Sequence, residues 1–85
     1  MPRQPTSEEQ RRQGQLLGLR LKSMRGRRPA EEVARRAGVG VDMLRKIEAG
    51  VVPTPGFFTV GRIVDAAGGG LDELWRDTTG PGGHP

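Results

Sequence analysis

The sequence predicts an all-α domain of five helices, and three observations carry that prediction. Apolar residues recur at spacings of three and four, the helical period, and no alternating run long enough for a strand occurs. Glycine and proline stand where helices should begin and end, as at Gly26, Pro29, Gly38, Gly40 and the run Gly68-Gly69-Gly70. The chain has 85 residues and no cysteine, so a single small core must be held by helix packing without disulfides or thiolate-bound metal.

Residues 1–6 contain Pro2 and Pro5 and are expected to be a flexible arm. A first helix is expected over 7–25. Thr6 with Glu9, or Ser7 with Gln10, has the spacing of a capping box. Leu17, Leu21 and Met24 repeat at i, i+4 and i+7 and form its core face, whereas Leu16 and Leu19 lie off that face as surface leucines or as part of a partner contact. Gly14 and Gly18 each weaken a helix by ~1 kcal/mol relative to alanine, so fraying is expected ahead of Gly14. Gly26 then supplies a helix stop, and Pro29 the first position of the next helix.

In that next helix Val33, Ala34 and Ala37 share one narrow face. Gly38 suits a left-handed helix end, Val39 can fill the space between two helices, and Gly40 can cap a third helix over 41–49 that buries Leu44 and Ile47. Two short helices joined by three residues, with a small alanine at the crossing, form a helix-turn-helix. After Val51-Val52-Pro53, a fourth helix is expected with Thr54 as its cap and Pro55 at its first position. Its buried stripe is Phe57, Val60, Ile63, Val64 and Ala67, and the three glycines at 68–70 stop it. A fifth helix over 71–77 should bring Leu71 and Leu74 to the core and leave Trp75 near its edge. Residues 7–77 are thus the expected helix-turn-helix domain, and the Gly/Pro-rich residues 78–85 a disordered tail.

The order Val33, Ala34, Ala37, Gly38, Val39, Leu44, Ile47, Glu48, Gly50 resembles the helix-turn-helix of the phage Cro and lambda-repressor type, the XRE family. With the flanking helices the resemblance covers residues 17–75. It implies a compact lambda-repressor-like domain in which the third helix enters the major groove of double-stranded DNA. The loop at 26–29 is about two residues shorter than is usual in the family. With the gap placed there, the resemblance implies a structural salt bridge between Arg25 and Glu48.

Charge agrees with that implication. The net charge is +4, but residues 15–50 hold nine Arg and Lys against four Asp and Glu, or +5, while residues 51–85 hold two arginines against four acids, or −2. A basic half coincident with the helix-turn-helix is the footprint expected for a phosphate backbone; solvated helix faces are the alternative for Arg27-Arg28 or Arg35-Arg36 taken singly. In this docking mode Val41, Asp42, Met43, Arg45 and Lys46 are the residues presented to base edges. Family members often carry glutamine, serine or threonine at the first three. Val41 and Met43 instead offer apolar contacts for a thymine methyl, and Arg45 and Lys46 can donate to guanine O6 and N7. Asp42 can accept from cytosine, although a carboxylate in a first helical turn is favourable by itself. Ala30 stands where the family commonly places a phosphate-holding glutamine, which leaves the backbone N–H groups of the helix N-terminus for that contact. Arg27, Arg28, Arg35 and Arg36 are the further phosphate-contact candidates.

The function expected from these residues is that of a sequence-specific DNA-binding transcriptional regulator, a repressor acting as a homodimer on half-sites, without a cofactor. Candidates for the dimer patch are Phe58, Trp75, Val51 and Val52, with burial in the core as the other role for the two aromatics. No apolar run is long enough for a membrane span, which makes a cytoplasmic protein the expectation. An enzyme is not expected: the single histidine, His84, falls in the tail, neither serine has a base at a plausible position, and no acid pair is placed for catalysis. Ala30, Val41 and Asp42 motivate the alternative, a protein-interaction module or antitoxin-like regulator with weak DNA binding on the same scaffold.

Overall fold

The computed structural model describes residues 7–79, and its first helix opens on a capping box. The Ser7 hydroxyl accepts from the Gln10 N–H at 3.0 Å, and the Gln10 side-chain oxygen accepts from the Ser7 N–H at 3.1 Å. Two otherwise orphaned donors are satisfied together, and helix α1 (Glu8–Arg25) runs unbroken through Gly14. Against the fraying expected ahead of Gly14, the helix is continuous from Glu8, and both helix glycines are buried against other parts of the chain.

Helices α2 (Ala30–Ala37) and α3 (Val41–Glu48) follow, with Pro29 and Gly40 as their N-caps. Pro29 therefore lies one position outside the helix rather than at its first position; its ψ of 143° is extended. Ala49 closes α3, one residue short of the expected span. Gly38 takes φ 73° and ψ 28°, and the two bonds around it, Gly38 N–H to Arg35 O and Val39 N–H to Ala34 O, form a Schellman motif. The same pair of bonds recurs around Gly50 and Gly68, so α2, α3 and the fourth helix end alike.

Helix α4 (Phe57–Ala66) begins at Gly56, two residues later than Thr54 and Pro55 indicate. The backbone of Pro53 lies against Gly14 of α1, which holds residues 53–55 in the connection rather than in the helix. Val60, Ile63, Val64 and Ala67 are buried as expected, but Phe57 is 66% exposed, because it stands at the lip of an open groove instead of over the core. Helix α5 (Leu71–Thr79) extends two residues past the expected end at Asp77. It buries Leu74, whereas Leu71, expected in the core, is 39% exposed on the groove. The arm at 1–6 and the tail beyond 79 lie outside the described residues.

The core collects side chains from every helix, among them Leu21 of α1, Val33 of α2, Leu44 and Ile47 of α3, Ile63 of α4 and Leu74 of α5. Full burial of each large aliphatic among them stabilises the fold by ~1.5 to 3 kcal/mol. Helix α1 crosses the C-terminal end of α3 at backbone distance. A side chain at Gly18 would collide with the carbonyl oxygens of Ile47 and Glu48, and one at Gly14 would stand 2.7 Å from the Pro53 Cα. Only glycine permits this approach, so a pair that weakens α1 locally is required by its packing.

Candidate nucleic-acid interface

Burial of Leu44 and Ile47 fixes the rotation of α3 about its axis. Asp42, Met43, Arg45 and Lys46 consequently point outward, while Val41 is half-buried and packs against the core. Ahead of α3, Ala30 is buried and its methyl group belongs to the core. The first N–H groups bonded at the start of α2 are those of Glu32 and Val33, both to Pro29 O. The Ala30 and Glu31 N–H groups have no acceptor among the described residues, and they leave a small electropositive helix end beside the outer face.

The interface is fastened to the scaffold by a buried ion pair. Arg25 Nε donates to Glu48 Oε2 at 2.7 Å and Arg25 Nη2 to Glu48 Oε1 at 2.8 Å, a two-pronged contact with side chains only 15% and 7% exposed. A third donor, Arg25 Nη1, reaches Arg28 O at 2.7 Å. One guanidinium therefore ties α1, the 26–29 connection and the last turn of α3 together. The hydrogen bond to Glu48 raises the Arg25 pKa from its ordinary value; burial opposes the rise, and the charges of Glu48 and Glu31 add to it.

The remaining cations divide into engaged and unengaged sets. Arg28 Nη1 donates to Ala67 O at 2.6 Å, capping the end of α4 and binding the loop to it. Arg45 Nη2 meets Glu31 Oε2 at 2.7 Å across the helix-turn-helix, with side chains 56% and 67% exposed. Arg36 and Glu32 pair at 3.4 Å along α2. Arg27, Arg35 and Lys46 are exposed and make no ion pair with another described residue.

A family model described as a helix-turn-helix domain matches residues 16–75, which spans helices α2 to α4, the second half of α1 and α5 as far as Trp75. This chain belongs to the helix-turn-helix domain family. No curated protein matches it. As a helix-turn-helix domain it is all-helical among the described residues, and none of its helices is long and apolar enough to cross a membrane.

Two contacts of the site have no signal in the sequence. Glu31 stands 14 positions from Arg45, a separation that only the crossing of α2 and α3 turns into a contact. Arg28 reads as one more basic loop residue, and its contact with a carbonyl 39 positions away depends on where α4 ends.

Proposed function

We propose that this helix-turn-helix domain is a sequence-specific double-stranded DNA-binding regulator of the Cro and lambda-repressor type, and that it acts as a repressor. The observation that supports this reading best is the outward face of α3: Met43, Arg45 and Lys46 stand exposed on a helix whose opposite face is locked in the core. Inserted in a major groove, Arg45 and Lys46 read guanine edges and Met43 a thymine methyl. Val41 and Asp42, at the start of α3, flank that contact. The Ala30 and Glu31 N–H groups hold a phosphate at the start of α2, with Arg27 in the preceding loop and Arg35 and Arg36 in the last turn of α2 as further phosphate contacts and Arg28 bracing the loop.

A repressor of this size acts as a homodimer on half-sites about one helical turn apart. Phe58 and Trp75 are 75% and 68% exposed and Val51 is 65% exposed, while Val52 is half-buried against the core. Trp75 also lines a groove of about 550 Å³ with Leu17, Pro53, Phe57 and Leu71, and these apolar residues are the candidates for the surface on which a second copy docks. Phe58→Glu should leave the monomer folded and shift sedimentation toward the monomer. An unchanged sedimentation profile removes this face from the dimer.

Titration of the protein into random-sequence duplex at two salt concentrations, followed by anisotropy of labelled DNA, tests the DNA reading. Phosphate binding weakens steeply with salt, log K falling by ~0.9 for each phosphate neutralised. No binding at low salt would transfer the function to a protein partner, where salt has little effect.

A further inference from the structure

The pairing of Arg45 with Glu31 bears on how the proposed DNA contact becomes specific, and the role assigned to Glu31 rests on that reading. Arg45 uses one nitrogen, Nη2, for one oxygen of Glu31 at 2.7 Å. A guanidinium has five N–H donors in a planar fork, so the remaining donors are still available for a two-pronged contact with guanine O6 and N7. Glu31 also acts on the inner pair: its carboxylate favours the charged form of Arg25, which is clamped to Glu48. A run of alternating charges, Glu48, Arg25, Glu31, Arg45, leads from the buried crossing of α1 and α3 to the outer face.

We infer that Glu31 is a positioning and specificity residue that aims Arg45 at a base edge. Two physical effects act together. Anchoring one arm of the fork removes rotamer freedom that an exposed arginine would otherwise lose on binding, so the contact with the correct base costs less entropy. The carboxylate, paired with Arg45 on the outer face, also offsets its charge and keeps Arg45 from collapsing onto the backbone of an arbitrary sequence. Glu31 thereby lowers sequence-independent binding while it favours one base.

The test is selection of bound duplexes from a randomised pool by the wild-type chain, Glu31→Gln, Arg45→Ala and the double variant. Each protein is also titrated into random duplex over a salt series and melted to check folding. The wild type should select a guanine at one position with roughly 5- to 150-fold discrimination, the range for a good two-pronged contact. Glu31→Gln should melt like the wild type, lose most of that preference, bind random duplex more tightly and steepen the salt dependence by about 0.9 in log K against log salt. In the Arg45→Ala background, Glu31→Gln should change base preference no further. A Glu31→Gln profile identical to the wild type's would overturn the role of Glu31 and leave DNA binding intact. Absence of duplex binding by the wild type would overturn both.

Discussion

Arg25 and Glu48 meet at 2.7 Å where α1 crosses α3, and Arg45 and Glu31 meet at the same distance on the outer side of the helix-turn-helix. The residue types and the length are the same, and the surroundings differ. The inner pair is two-pronged and nearly closed to water; the outer pair has one contact and both side chains more than half exposed. In low dielectric, removal of one partner strands a charge that water reaches only poorly. In water the same removal is nearly neutral, because solvent and salt take the partner's place. Burial therefore makes the inner pair a fastener, while the outer pair contributes little to stability and leaves Arg45 with donors to spare.

The largest effect should come from breaking the inner pair. Glu48→Ala is expected to lower stability by ~3 to 5 kcal/mol in urea denaturation, while the combined Arg25→Met, Glu48→Leu variant should recover most of the loss. The raised Arg25 pKa contributes stability that is complete below the ordinary guanidinium range and is lost only as pH rises through the raised value. The Arg25 contribution to urea stability should therefore hold from neutral to about pH 10, below the guanidinium range. A fall over that range would mean that a group other than the Arg25 guanidinium, whose ordinary pKa already lies above it, controls the stability there.

Next in size is the packing that brings the pair together. Gly18→Ala gains ~1 kcal/mol of helix propensity, but its methyl group collides with the Ile47 and Glu48 carbonyls, so a net loss of ~1 to 3 kcal/mol is expected. A rise in melting temperature would show that α1 can withdraw at little cost.

On the outer side, Lys46→Ala should cost ~1 to 3 kcal/mol of DNA affinity and relax preference at one base position, whereas Arg36→Ala should weaken all sequences alike. Equal losses on every sequence from both variants would remove Lys46 from base reading. The smallest effect belongs to the outer pair's stability. Glu31→Gln should change unfolding free energy by under ~1 kcal/mol, and a larger change would make that pair structural.

Much of this is legible from one chain. The Ser7 cap, the Gly38 hinge, and the inward positions Leu21, Val33, Leu44, Ile47, Val60, Ile63, Val64 and Leu74 follow from local rules of period and capping, which act over a few residues and are written in order along the sequence. The family resemblance adds the alignment of Arg25 with Glu48, which no local rule supplies. Phe57 and Leu71 depart from expectation because a helical period gives the side of a helix and not how far along it the neighbouring helices reach. Gly14 and Gly18 look like weaknesses because propensity is a property of an isolated helix, and the second chain segment that touches them does not enter it.

By itself, then, the sequence determined the helical content, the hinge, the inward faces and the basic half, since each depends on neighbours within a turn or two or on a sum of charges. Tertiary structure decided which glycines carry close contacts, that Arg28 serves a carbonyl of α4, and that Glu31 rather than solvent faces Arg45. Those outcomes depend on where separate helices cross, and a crossing is set by the packing of the whole core.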